Sequence, residues 1–247
     1  VTNPFAILFA VACLSGLLWL GFFEPGVCHM RAGERYEPRP LDRIDAGMAS
    51  LFGGLLGSRV QFVLLHWGYY REQPLQIAWT WQGGFSWAGG AIGMLLALGI
   101  FALVNRLPFI RLADALALPA AWTSSLGWLG CQLQGCAYGA AANPGWLTPP
   151  MPDMMGVAAH RLPTQALGAL WGLGLAGLLL AVRQRRMTCG LRGMLALSWL
   201  SAGQLGLSFL RGDPVTVVLG LRLDGLLAAG LLMTGLLLGA LVSLRNG

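Results

Sequence analysis

Residues 4–23, PFAILFAVACLSGLLWLGFF, contain no charged side chain, and several later runs of the 247-residue chain are comparably long and apolar. A helix needs about 20 such residues to cross the hydrocarbon core of a bilayer. Charged residues make up only 11% of the chain, where a soluble domain carries roughly a quarter, so these runs are not the core of a soluble fold. An all-α integral membrane protein is expected, with helices near 4–23, 46–66, 87–105, 110–131, 164–183, 190–210 and 216–243. The first run has no basic leader and ends at Glu24-Pro25 without a small-residue cleavage pattern, so it reads as a retained helix. Cys13 reads as a helix-packing cysteine, because Ala10-Val11-Ala12-Cys13 starts too early for a lipidation box.

The net charge of +6 comes from arginine alone, since the chain has no lysine. Arg31, Arg35, Arg39, Arg43, Arg106, Arg111, Arg183, Arg185, Arg186, Arg192 and Arg245 fall in one set of connections; Arg71, Arg161, Arg211 and Arg222 fall in the other. Eleven against four places the first set in the cytoplasm, with the N-terminus outside and the C-terminus cytoplasmic. Charge placement thus accounts for the basic balance without nucleic acid. Residues 67–86, rich in Trp and Tyr, read as an outer interfacial arm, because such side chains favour the membrane boundary. The whole of 1–247 reads as a single polytopic membrane domain.

LGWLGCQLQGCAYG at 126–139 stops a long apolar run with four glycines, two cysteines and two amides. Such glycine density lets the backbone turn sharply or approach a ligand, which makes the stretch a candidate site floor. Arg59 lies inside an apolar helix and needs a partner or a cavity; Asp114 is a candidate partner or a second cavity residue. Arg211 ends a membrane helix, where a guanidinium suits a lipid phosphate or an orientation anchor. Glycine sets at 53, 54 and 57, at 89, 90 and 93, at 168 and 172, and at 235 and 239 fit close helix packing. The cysteines at 13, 28, 131, 136 and 189 form no paired CxxC, and Cys28-His29 lacks further ligands, so no metal is expected. Cys131 and Cys136 meet if the backbone between them bends; otherwise they are small packing residues. His160 is a candidate base in an exposed loop, with an idle surface histidine as the plainer reading. No serine–histidine–acid set, phosphate loop or HExxH occurs.

Three stretches in this order resemble the bacterial prolipoprotein diacylglyceryl transferase family: LFGGLLGSRVQFVLLHWGYYREQPLQIAWTWQGGFSWAGGAIG at 51–93, LGWLGCQLQGCAYG at 126–139, and RLPTQ at 161–165 followed by FLRGDP at 209–214. The resemblance implies seven spans in the bacterial inner membrane, and transfer of a diacylglyceryl group from phosphatidylglycerol to a lipobox cysteine. That chemistry needs a cation clamp for the glycerol phosphate and help in deprotonating the thiol, with no metal or cofactor. The family's charged positions are altered here. Ala88 stands for the histidine of GG-x-S-F-H-GG. Trp128 and Cys131 stand for the arginine and asparagine of G-R-x-G-N. Gln204 and Ser208 stand for the arginine and acid of R-F-x-x-E-x-x-R, whose last arginine survives as Arg211.

These departures favour a catalytically silent relative acting as a lipid-binding or accessory membrane subunit. Its partners are then a phospholipid such as phosphatidylglycerol and other subunits of a membrane complex. The lipid-binding candidates are Arg59, Gly83, Gly84, Gly89, Gly90, Asp114, Gly130, Gln134, Gly135 and Arg211. The alternative is an active transferase with rearranged catalysis, its base relocated to His66 or His160. A third reading is another lipid enzyme using Cys131 or Cys136 as nucleophile.

Overall fold

The computed structural model describes residues 4–23, 38–80, 83–153, 155–183 and 187–246. Cys28 and His29 lie outside them. Among the described residues, helix dominates: α1 (Pro4–Phe22), α2 (Pro40–Leu65), the short α3 (Trp67–Tyr70), α4 (Trp87–Val104), α5 (Phe109–Gln134), α6 (Thr164–Ala181), α7 (Leu191–Ser208) and α8 (Leu223–Asn246). Five of these are long and apolar enough to cross a membrane: α1, α2, α4, α6 and α8. The long helices α5 and α7 carry more polar residues, among them Arg111, Asp114, Arg192 and Gln204.

Two boundaries differ from the sequence expectation. Helix α2 starts at Pro40 rather than near 46, because proline suits a first helical turn and the Asp42 carboxylate accepts the Arg39 N–H at 3.0 Å. Helix α8 starts at Leu223 rather than 216, because β3 (Val217–Val218) and β4 (Leu221–Arg222) form an antiparallel hairpin first. Its two turn residues, Leu219 and Gly220, both have positive φ, as a tight two-residue hairpin turn requires. A second hairpin pairs β1 (Pro150–Pro152) with β2 (Ala158–His160) in the loop that carries His160.

The chain divides into two compact units. Unit 2, Pro38–Leu112, is built on α2 against α4. A Cβ added to Gly57 would lie 2.4 Å from the Gly89 carbonyl oxygen, and one on Gly93 would collide with the Gly53 carbonyl. Backbone therefore meets backbone along this seam, which only glycine allows. Unit 1, Val1–Glu37 with Ala113–Gly247, buries a core of small and branched residues including Ala117, Ala121, Leu175, Leu179 and Ala196. Gly168 and Gly172 let α6 approach α5, at the Trp128 ring and at Ser125. Gly235 lets α8 approach Ser198 of α7. The later glycine pairs are thus packing devices. Trp171 and Trp199 clasp α6 to α7, each indole N–H donating to the other's backbone carbonyl at 2.7 and 3.0 Å.

Candidate functional site: the turn after α5 and its surroundings

In unit 1 the 126–139 stretch begins as the last turns of α5 and ends in a bent turn. Gly135 and Ala137 both have positive φ, which brings Cys136 back over the helix end. Cys131 and Cys136 are joined as a disulfide, with Cα atoms 4.7 Å apart, rather than being two packing residues. This corrects the nucleophile reading too, since disulfide sulfur is not a thiolate. The exposed turn carbonyls are taken by the start of α6. Gln165 Nε2 donates to the Cys136 carbonyl at 2.9 Å, and Thr164 Oγ1 donates to that of Ala137 at 2.8 Å; both side chains are buried.

The chain then threads between two other segments. Gly212 N–H donates to the Tyr138 carbonyl at 2.9 Å, Ala140 N–H to Leu210 at 2.8 Å, and Leu162 N–H to Ala140 at 3.1 Å. A side chain at Gly139 would strike the Leu162 carbonyl, which explains that glycine. Beside it, Arg161 lies 4.4 Å over the Tyr138 ring and pairs with Asp153 at 3.1 Å.

One turn back, the Trp128 ring packs on α6 where Gly168 lacks a side chain. Gly130 receives the Phe5 ring of α1 in the same way. Gln134 closes α5 and Gly135 is buried in the turn. Gln204 and Ser208 are buried on α7, the latter bonded to the Leu205 carbonyl at 2.7 Å.

Arg211 follows α7 and holds two carboxylates. Its Nε donates to Asp213 Oδ1 at 2.8 Å and its Nη1 to Asp224 Oδ2 at 3.1 Å. Arg222 completes the group, with Nη2 3.2 Å from Asp213 and Nε 3.4 Å from Asp224. Two cations face two anions, so the cluster is neutral. Burial, the largest influence on Arg211, works against its charged form; the Asp213 hydrogen bond and the two carboxylate charges outweigh it and raise its pKa above the ordinary arginine value. Asp213, Asp224 and Arg222 were not candidates from sequence. The readable signal is Arg-x-Asp twice, at 211–213 and 222–224.

Asp114 is held by backbone amides, with the charge of Arg192 nearby. Its Oδ2 accepts the Gly190 N–H at 2.5 Å and its Oδ1 that of Gly193 at 2.8 Å, which satisfies amides at the start of α7. His160 Nδ1 sits 2.6 Å from the Thr148 carbonyl, so that nitrogen carries the proton and donates.

Unit 2 holds the remaining candidates. Arg59 is the anchor of the arm: Nε donates to the Ile77 carbonyl at 3.0 Å, Nη2 to Gln76 at 2.7 Å, and Nη1 to Gly83 at 2.6 Å and Gly84 at 3.1 Å. Its guanidinium lies 5.4 Å from the Tyr70 ring. Within unit 2 its partners are backbone carbonyls. Gly83 and Gly84 have positive φ, and a side chain on Gly84 would strike Arg59. Ala88 is buried at the start of α4, Gly89 meets Gly57 and Gln61, and Gly90 faces Ser58. His66 Nδ1 is 2.9 Å from the Phe62 carbonyl, with its ring stacked on Phe62.

Comparison with known proteins gives this arrangement a family. The family model for prolipoprotein diacylglyceryl transferase matches residues 4–241. The phosphatidylglycerol–prolipoprotein diacylglyceryl transferase of Symbiobacterium thermophilum is 32% identical over 184 residues, which cover 71% of this chain and 68% of the relative. That of Bacillus licheniformis is 28% identical over 225 residues, covering 89% and 80%. That of Bordetella avium is 34% identical over 132 residues, covering 53% and 48%. On the extent of the family match and the number of apolar helices, the chain belongs to the prolipoprotein diacylglyceryl transferase family.

Proposed function

We propose that this chain binds phosphatidylglycerol or a similar phospholipid on the family scaffold without itself carrying out the transfer. It acts as a lipid-holding or accessory subunit in the bacterial inner membrane, crossing it seven times as one domain with the N-terminus outside. The observation that carries this reading is that the ionisable groups expected at the site are already engaged. Arg211 is neutralised by Asp213 and Asp224, Asp114 holds the amides of α7, and Arg59 holds the carbonyls of the arm. Losing a single oxyanion-type donor typically costs about 2.7–4 kcal/mol of transition-state stabilisation. A site with Trp128 for the clamp and Ala88 for the histidine forgoes more than one such contribution. Exposed apolar side chains on the helices, such as Phe52 and Leu103, suit contact with lipid or with another membrane subunit.

The names of the relatives favour a second reading, transfer of a diacylglyceryl group from phosphatidylglycerol to a lipobox cysteine. In that reading Arg211 holds the glycerol phosphate and His160 takes the thiol proton. One experiment separates the two: purified protein, phosphatidylglycerol and a lipobox peptide, analysed by mass spectrometry for the thioether, beside rescue of a bacterium depleted of its own transferase. The silent reading expects no thioether and no rescue. Thioether formation abolished by Arg211→Ala or His160→Ala would establish the second reading instead.

A further inference from the structure

The β3–β4 hairpin of unit 1 has two unlike faces. Val218 and Leu221 stand opposite each other in its register, as do Val217 and Arg222. Successive strand residues alternate sides, so Val218 and Leu221 share the face turned away from Arg222. Arg222 reaches into the charge cluster, donating Nη1 to the Asp213 carbonyl at 3.0 Å and pairing with the Asp213 and Asp224 carboxylates. Val218 and Leu221 are half-exposed, and Leu219 at the tip is 95% exposed. That tip is also strained. Leu219 has φ 53°, a left-handed conformation that Asn, Asp or Gly would adopt in this turn with less strain and less apolar surface. Two short paired strands are marginal in water on their own, so packing within the hairpin does not account for a leucine here.

What covers this face follows from where the chain goes next. Leu223 N–H donates to the Thr216 carbonyl at 2.9 Å, so the hairpin ladder runs straight into α8. Residues Leu223–Leu244 of that helix are long and apolar enough to cross a membrane. Gly220, in the turn, is three residues before Leu223, which is about 10 Å at the strand rise. The polar layer between hydrocarbon and water is about 5–8 Å deep on each side of a bilayer. A hairpin fixed so close to the start of a span has the bilayer surface as its nearest apolar neighbour.

We propose that the β3–β4 hairpin is a membrane foot, its Leu219 tip and its Val218–Leu221 face set into the headgroup–acyl boundary beside α8. Burial there takes apolar side chains out of water, while the opposite face keeps Arg222 on its carboxylates. Arg211 shares those two carboxylates, so the foot holds the Arg211 cluster at headgroup depth. That layer contains water, so a thiol reagent on the same side still meets the tip. The foot stands whether or not the chain transfers a diacylglyceryl group.

The sequence supplies a clean readout. Trypsin cuts after Arg211 and Arg222, and residues 212–222, GDPVTVVLGLR, contain no other basic residue, so the hairpin separates from α8 as one peptide. The full chain in phosphatidylcholine nanodiscs is irradiated with a phosphatidylcholine that carries a diazirine at the top of one acyl chain. Label is expected on both the 212–222 and the 223–245 peptides. In Val218→Ser/Leu221→Ser the 212–222 label should fall about tenfold, the effect of losing two partly buried aliphatic side chains, while the 223–245 label persists and reports a chain still in the bilayer. Leu219→Asn, which suits the turn and makes the tip polar, should lower the same label without disturbing the hairpin. Label confined to 223–245 in the unsubstituted chain, or 212–222 label unchanged in both variants, would overturn the proposal. So would crosslinking of 212–222 to another polypeptide, a second copy included, when native membranes are irradiated after leucine is replaced by its diazirine analogue.

Discussion

Arg106 carries a strain that a single substitution can relieve. It has φ 55° just past α4, where Leu107 N–H bonds to the Ala102 carbonyl at 2.8 Å and Arg106 N–H to that of Leu103 at 3.3 Å. This is the glycine position of a Schellman turn. Arg106→Gly is expected to raise stability by about 1 kcal/mol, read as a higher unfolding temperature in detergent. Asp213 works in the opposite direction, since both Arg211 and Arg222 depend on it. Asp213→Ala should cost about 3 kcal/mol, because it leaves two mostly shielded guanidiniums to share Asp224 alone. Arg71→Ala, which removes an exposed pair 3.9 Å from Glu72, should change nothing measurable in the same assay. Sequence shows that Arg59 and Asp114 need partners, because charge in a membrane helix is costly. It does not show which partners, because backbone carbonyls and amides belong to every residue type and leave no pattern.

Helices are the legible elements here, because a bilayer demands long apolar runs, and the seven long ones among the described residues lie near their expected places. The hairpins escaped notice for a physical reason: strands of two or three residues, one bearing Pro150 and Pro152, are too short for alternation to register. Glycine meaning is equally positional. Gly57→Ala would force a methyl into the Gly89 carbonyl and Gly93, so it should part α2 from α4 and lower stability by about 2 kcal/mol or more. Gly230 of α8 has open space where a Cβ would go, so Gly230→Ala should be neutral or stabilise by up to about 1 kcal/mol. Thermal unfolding of the two variants side by side checks the contrast.

For the whole molecule, the arginine count makes a claim about sides. Leu219→Cys, at the exposed tip of the β3–β4 hairpin, should react with a membrane-impermeant maleimide in cells with a permeabilised outer membrane. Asn105→Cys, after α4, should react above the wild-type background only once the inner membrane is opened. Reversed labelling would invert the topology. The candidate site was half legible: its location came from glycines and amides, while its neutral charge state depends on Asp213 and Asp224, which reach Arg211 only through the folded turn and hairpin. The tryptophan clasp between α6 and α7 has a separate consequence. Its ring centres lie 4.9 Å apart at an interplanar angle of 31°, close enough for their electronic transitions to couple. Such a pair rotates polarised light as a unit, so the protein carries its own optical gauge of whether those two helices are docked.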